Sequence, residues 1–344
     1  MSVHVHAFRS RLGRAYTYLA YILGSVGAAN RAVSKLADQV KPDVVHHHNI
    51  FFLGAGVLRE RFAPVTLYTA HDYWLICERY DLLRRGHQCR NRECLQCAIA
   101  HGRPPQLWRK SGWFKKALQD IDLILAPSRY MCAELQAVLT NSSVSHLANF
   151  VPAPPSAIPP SPLGSNYFLY VGALRESKGV RGLLDVFRDH HPNIPGRLVM
   201  AGNGPMEPYV RRFIAEHNLE ERIVLLGWVE RQDLWPLYRD ARALVLPSIW
   251  PENNPLVALE ALAVGTPVIG SDEGGIPEIV TQMDSSLLFR SGDWEGLAAV
   301  LTSFDKQRCR LRDARQVYEK EYGPERYVSR YESLAERLLH DSCT

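Results

Sequence analysis

The 344-residue chain contains no apolar run approaching the roughly 20 residues that a membrane-spanning helix needs. Met1–Arg14 carries His and Arg with no small-residue cleavage site behind it, so it does not read as a secretory signal, and a cytoplasmic location is expected. No G-x-G-x-x-G follows a strand-like segment and opens a helix, which argues against a dinucleotide-dependent oxidoreductase. Short internal repeats are missing, and low-complexity sequence is confined to one proline-rich stretch. Among the seven cysteines only one C-x-x-C pair occurs, where a structural zinc framework ordinarily has two.

What is present is ordinary for a globular protein: 46% hydrophobic and 22% charged residues, with length enough for two domains with full cores. The net charge of +4 is unevenly spread. Residues 1–150 hold 19 Lys/Arg against 10 Asp/Glu, so the first half is basic and the remainder acidic. A basic half could face anionic lipid or a negatively charged acceptor, or be a solvated surface. Nucleic acid is not an expected partner.

Six prolines within 152–162 cannot sustain a helix or a central strand and favour extended backbone. They mark a linker, 152–164, between an N-terminal domain (1–151) and a C-terminal one (165–322), with 323–344 as a closing helical segment. On either side short apolar segments alternate with longer amphipathic ones, the pattern of parallel sheets covered by helices in an α/β protein. Strands are expected at Asp43–His47, Val65–Thr69, Asp122–Ala126 and Val144–Ala148. After the linker they are expected at Tyr167–Val171, Arg197–Ala201, Ile223–Leu226, Ala243–Leu246 and Pro267–Ile269. One helix is expected over about Tyr16–Val40, and another over Glu325–Leu339.

The most informative run is Pro-Glu-Asn-Asn-Pro-Leu-Val-Ala-Leu-Glu at 251–260, followed by Gly265-Thr-Pro-Val-Ile-Gly-Ser-Asp-Glu-Gly-Gly-Ile-Pro-Glu278. Pro255 suits the first position of a helix and Asn253 or Asn254 its cap, so a helix should open near residue 254. Its unpaired N–H groups and positive end would receive a phosphate or another anion. Glu252 stands before that end. Glu260 stands about five residues in, a rise of roughly 8 Å at about 1.5 Å per residue, comparable to a diphosphate between two sugars. Ionised carboxylates accept strong hydrogen bonds from sugar hydroxyls. Two solvated acids on a surface helix would leave the same spacing.

With its flanking glycines and prolines, the segment resembles the nucleotide-sugar site of glycosyltransferase family 4, retaining enzymes of the GT-B fold, in which two glutamates stand with seven residues between them. The resemblance runs from about Asp43 to the C-terminus. It implies two Rossmann-like α/β domains facing a cleft, the N-terminal one shortened. The activity implied is hexosyl transfer, without metal, from a UDP- or GDP-sugar to a saccharide or lipid-linked acceptor, in cell-surface polysaccharide or glycolipid synthesis. Glu252 would then hold hydroxyls of the transferred sugar and Glu260 those of the ribose. Lys178 and Arg175, after Tyr167-Phe-Leu-Tyr-Val-Gly172, would carry the diphosphate together with the backbone of Asn254, Pro255 and Leu256. The family's usual arginine directly after the glycine is Ala173 here. Gly202 and Gly204 would let backbone approach the donor. Trp228 and Val229 match the segment that meets the nucleobase, although a tryptophan there is more often core than base platform. No Asp-x-Asp metal motif occurs near the donor site.

In the first half, Asp43-Val-Val-His-His-His-Asn49 reads as a strand entering a polar turn, and three adjacent histidines on a strand alternate faces, so they cannot share one metal. Thr69-Ala-His-Asp-Tyr-Trp74 resembles the family's His-Asp segment, whose histidine reaches the transferred sugar, which points to His71 and, secondarily, Asp72. Cys77, Cys89, Cys94 and Cys97, with His87 among them, are candidate ligands of a structural zinc, or free thiols in an insertion. Cys132, Cys309 and Cys343 read as ordinary thiols. Leu107–Lys116 mixes aromatic and basic residues, which suits a helix in the headgroup zone on the inner face of a membrane or one packed on its own domain. The family's usual opening, a strand and a Gly-Gly loop, is not found in Met1–Lys41, and a shortened sheet would expose an edge. Two other function classes therefore remain open: a non-catalytic nucleotide-sugar-binding or scaffold protein, and a nucleotide-sugar 2-epimerase of the same fold.

Overall fold

The structure, a computed structural model, describes residues 14–84, 87–89, 93–305 and 311–343. Cys309 and the first 13 residues of the opening segment lie outside them, as do the side chains of His87 and Cys343. Contacts divide the chain into two units, Met1–Leu147 with Arg330–Thr344, and Ala148–Ser329.

The first unit holds a four-stranded parallel sheet in the order β1-β2-β5-β6, formed by β1 (Val44–His48), β2 (Val65–Thr69), β5 (Leu123–Ala126) and β6 (Val144–His146). A small antiparallel hairpin, β3 (Leu83–Arg84) and β4 (His87–Gln88), lies outside it. β2 and β5 are buried along their whole length, as apolar strands of a parallel sheet covered on both faces must be. Among the described residues β1 is an edge strand, and two helices precede it, Arg14–Leu23 and Ala28–Val40. The single helix expected over 16–40 is thus broken. Gly24 and Gly27 adopt left-handed φ values of 75° and 72°, and a Cβ on Gly24 would fall 2.6 Å from the Trp108 ring. The break lets that indole lie against the backbone and donate to the Tyr21 carbonyl at 2.9 Å.

The segment at 107–116 takes the second of its two readings. It forms a short 3-10 turn, Leu107–Lys110, and a helix, Gly112–Gln119. Trp108 and Phe114 are buried, whereas Lys110, Lys115 and Lys116 are exposed. The Arg109 guanidinium lies 4.9 Å over both the Trp74 and Trp108 rings, and burial pulls its pKa down to about 10. Aromatic surface that would enter a headgroup zone is spent on the unit's own core. Among the described residues no helix is long and apolar enough to cross a membrane.

The second unit holds a six-stranded parallel sheet in the order β12-β11-β10-β7-β8-β9. Its strands are β7 (Tyr167–Val171), β8 (Arg197–Ala201), β9 (Ile223–Gly227), β10 (Leu244–Leu246), β11 (Val268–Ser271) and β12 (Leu288–Phe289). β12 carries only two residues and no periodicity that a sequence reading could register. The order places β7 and β10 side by side at the point where the winding reverses, the place at which ligands collect beyond the carboxyl ends of strands. The proline-rich stretch carries no helix or strand and is fastened to this unit by Ser161 N–H to Asp240 at 2.6 Å and Arg197 to the Leu163 carbonyl at 2.6 Å. The last helix, Pro324–Cys343, is divided between the units at Ser329 and Arg330.

At the switch point, Gly179 has φ 72°, and a Cβ there would fall 1.8 Å from the Pro247 carbonyl oxygen. Backbone cannot yield as a side-chain tip can. Gly179→Ala should therefore cost at least about 1–3 kcal/mol in the second unit, read as a lower urea midpoint. An unchanged midpoint would contradict this packing.

Candidate active site

Two loops deliver the charged groups, and a third packs against them. The turn after β7 presents Lys178, the loop after β10 presents Ser248 and Glu252, and the loop after β11 presents Gly274 and Gly275. These loops are joined to one another by backbone: Ile249 N–H donates to Ser177 O at 3.1 Å, and Gly275 N–H to Glu252 O at 2.7 Å. Gly274, at φ 59°, passes so close to Glu252 that a Cβ would lie 2.2 Å from its carbonyl oxygen. Glu252 is 9% exposed. Its carboxylate accepts hydrogen bonds from the Lys178 ammonium and, at 2.7 Å, from the Ser248 hydroxyl. The Lys178 ammonium also lies 5.0 Å over the Trp250 ring. A nearly buried charge survives only with such partners. Glu252 together with burial drives the Tyr170 hydroxyl's pKa upward, burial being the larger cause.

The helix after this loop runs Leu256–Ala263, with Pro255 as its N-cap residue and no side-chain cap. It opens two residues later than expected. Asn254 does not cap it, because its side-chain oxygen accepts from Asn149 N–H at 3.1 Å instead. Glu260 is 7% exposed, accepts from the Tyr238 hydroxyl at 2.9 Å and pairs with Arg231 at 3.1 Å. Burial, and then the Glu260 charge and hydrogen bond, raise the Tyr238 pKa well above its ordinary value.

A 300 Å³ cavity lies beyond the ends of β7, β8 and β9, lined by Gly172, Gly202, Trp228, Val229, Arg231 and Val257 among others. Val257, in the first turn of the helix, puts the electropositive helix end at its wall. Gly202 and Gly204 adopt φ values of 146° and 157°, where a Cβ would strike the carbonyls of Gly172 and Leu174. Trp228 is 68% exposed, which removes the core reading of that residue and leaves its ring face available. Leu256 is 47% exposed. Arg175 is exposed and outside the cavity lining, so of the two cations only Lys178 is brought to a glutamate. A larger recess of 730 Å³ in the first unit is lined by charges of both signs, including Arg31, Lys35, Asp38 and Glu60, with no aromatic wall.

In the first unit, the parallel register pairs His48 with Thr69, two residues before His71. His48 Nδ1 and His71 Nε2 lie 2.8 Å apart. His46 shares the same strand face, its ring 3.9 Å from that of His48 and its Nε2 2.8 Å from Thr69 Oγ1. His47 turns to the other face, is 8% exposed, and its Nε2 has no hydrogen-bond partner among the described residues. Desolvation, reinforced by neighbouring histidines, lowers His46 to about 3 and His47 to about 4, and it also lowers His48 and His71. Asp72 accepts from Trp74 N–H at 2.8 Å and so caps a turn, and burial raises its pKa.

Among the described residues no three His, Cys, Asp or Glu side chains are arranged to hold a metal ion. Cys77, Cys94 and Cys97 form no disulfide among the described residues, and Cys97 is turned toward His101 at 3.9 Å. Burial raises the Cys94 pKa, and the neighbouring Cys77, Glu78 and Cys89 raise it further, so its thiolate is disfavoured.

Residues 156–322 match the family described as glycosyl transferases group 1, and residues 2–153 match glycosyltransferase family 4. The chain belongs to glycosyltransferase family 4. Among solved structures, sucrose-phosphate synthase from Thermosynechococcus elongatus shares the fold with a TM-score of 0.69 and 21% identity, over 91% of this chain and 78% of that one. The Anabaena protein HepE, solved in complex with UDP, gives 0.63 and 18%, over 96% and 84%. N-acetyl-alpha-D-glucosaminyl L-malate synthase of Bacillus anthracis is 28% identical over 177 residues, 50% of this chain and 46% of that protein. The chain thus spans less than half the length of the curated relatives it matches. The two parallel sheets are those of a GT-B glycosyltransferase.

Three partners of these glutamates carry no signal in the sequence: the Ser248 hydroxyl reaches Glu252, and Tyr238 and Arg231 lie 22 and 29 positions before Glu260 with no motif to announce them. His48, by contrast, was visible as a histidine at a strand end.

The lowered histidines predict acid sensitivity. His46, His47 and His146 stay neutral in the fold down to about 3, 4 and 4, against 6.5 unfolded. Below 6.5 the unfolded chain binds more protons, so their contribution is complete above that pH and is lost as pH falls toward those values. Between pH 6.5 and 5 the loss is on the order of 2 kcal/mol for a buried histidine, and smaller for half-exposed His46 and His146. Urea unfolding at pH 7.5 and pH 5 measures it. His47→Gln should flatten the dependence, and an equal slope in that variant would refute the assignment.

Proposed function

We propose that this family 4 glycosyltransferase moves a sugar from a UDP- or GDP-sugar to a hydroxyl of a saccharide or lipid-linked acceptor. Anomeric configuration would be retained, with a setting in polysaccharide or glycolipid synthesis on the cytoplasmic side of a membrane. The observation that carries the reading is the cavity beyond β7, β8 and β9, which has the exposed Trp228 ring on one side and the first turn of helix Leu256–Ala263 on another. An aromatic face suits a nucleobase, and unpaired N–H groups at a helix end suit a diphosphate. A relative of the same fold was solved with UDP, which supports the donor class.

In this reading Glu260, held by Tyr238 and Arg231, takes the ribose hydroxyls, and Glu252 takes hydroxyls of the transferred sugar. Lys178, with Arg175 and the N–H groups near Leu256, stabilises the diphosphate as the bond from the anomeric carbon to phosphate oxygen breaks. The hydrogen bond that joins Lys178 to Glu252 supports this assignment. Retention without a protein nucleophile implies attack from the face the phosphate leaves, the departing phosphate oxygen accepting the proton of the acceptor hydroxyl as the new C–O bond forms. The helix end and the cations supply positive charge that a divalent ion supplies elsewhere. His71 is the proposed contact to the transferred sugar.

A thermal-shift screen with UDP-, GDP- and ADP-sugars should select one base, and radiolabelled sugar transfer then gives kinetics. Glu260→Ala should weaken nucleotide binding about tenfold or more, since it leaves Tyr238 and Arg231 without their acceptor. Glu252→Ala and Lys178→Ala should lower transfer by about a hundredfold with nucleotide affinity largely kept. Unchanged kinetics in all three would sink the site. Nucleotide-sugar binding without turnover would favour the non-catalytic reading, and donor epimerisation without acceptor would favour the 2-epimerase.

A further inference from the structure

We propose that His48 is a positioning residue for His71, fixing the ring orientation and tautomer of that histidine through one shared proton. The inference rests on the transferase reading for its functional consequence, not for the coupling itself. His48 Nδ1 and His71 Nε2 approach to 2.8 Å, with ring centroids 5.1 Å apart and 27° between planes. A neutral imidazole carries one N–H and one bare nitrogen. Both pKa values lie below the usual histidine range, so at neutral pH one ring donates and the other accepts. The shared proton ties the two rings together, so the tautomer of His71 follows that of His48 instead of varying independently.

His48 is itself held. Its ring lies 3.9 Å from that of His46. His46 is anchored to Thr69 Oγ1 at 2.8 Å and stacked on Tyr331 of the last helix at 5.3 Å. The stack Tyr331, His46, His48, His71 thus transmits order from the sheet and the last helix to a residue on an exposed turn. Parallel pairing of β1 with β2 delivers it, because the register that sets His48 opposite Thr69 brings alternate histidines of β1 to the face beneath the turn. The third histidine, His47, faces the core, so the side-by-side arrangement needs the x in His-x-His, not the run of three.

The test combines a spectroscopic and a kinetic measurement on the full chain. Nitrogen-15 chemical shifts of His71 at pH 7.5 should report one tautomer in the wild type. In His48→Phe, which keeps a ring without nitrogen, they should relax toward the mixture of a free imidazole. His48→Asn places an amide where Nδ1 was and should hold the single tautomer. Transfer kcat should fall about tenfold in His48→Phe, recover in His48→Asn, and show no further loss from His48→Phe when His71 is already alanine. Nucleotide affinity should stay within about twofold throughout. A single His71 tautomer in His48→Phe overturns the coupling, as does a His48→Asn no better than His48→Phe, or a full kinetic loss in the His71→Ala background. Absence of transfer in the wild type would overturn the transferase reading instead, and the shifts would still decide the coupling.

Discussion

The second unit is organised around a carboxylate that is almost out of water. Glu252 is 9% exposed, and its carboxylate accepts hydrogen bonds from the Lys178 ammonium and the Ser248 hydroxyl. Burying an ion costs several kcal/mol unless partners replace the lost hydration, and those partners sit on two loops, after β7 and β10. The fold must therefore bring these two loops to one point, and the loop after β11 closes on Glu252 through its backbone. It does so with glycines at Gly179 and Gly274, where backbone of one loop rests on backbone of the next.

The same arrangement explains why a rigid site can be built from connecting segments. Loops are ordinarily the variable part of an α/β fold. Here Ile249 N–H to Ser177 O, and Gly275 N–H to Glu252 O, make them extensions of the sheet. Glu260 is treated differently, on a helix and secured from a neighbouring helix by Tyr238 and Arg231. One glutamate is thus fixed by loops at the strand ends and the other by helix packing, with the helix end between them at the cavity wall.

Much of this architecture was legible in the residues. Tyr167–Val171, Val65–Thr69 and Arg197–Ala201 are strands with the expected bounds, since apolar runs that short, closed by turn residues, have few other ways to be buried. Less local features were not legible. The helix expected over 16–40 breaks because Trp108, more than 80 positions later, needs the bare backbone at Gly24. The aromatic residues of 107–116 turn inward because Trp74 and Arg109 offer them a core. Asn254 gives its oxygen to Asn149 instead of the helix behind it. The cysteine spacing raised a zinc site, and among the described residues no three ligands are arranged to hold a metal.

By itself, the sequence determined the two parallel α/β units, the presence of a helix behind Glu252, and the glycine turns, because these are properties of local spacing and side-chain type. Tertiary structure alone decided which groups face one another: Lys178 and Ser248 on Glu252, Tyr238 and Arg231 on Glu260, and His48 on His71. It also decided that Trp228 stands in solvent beside a cavity instead of in a core. The reason is that hydrogen bonds and charge pairs act over about 3 Å, and only strand order and register bring residues so far apart along the chain to that distance.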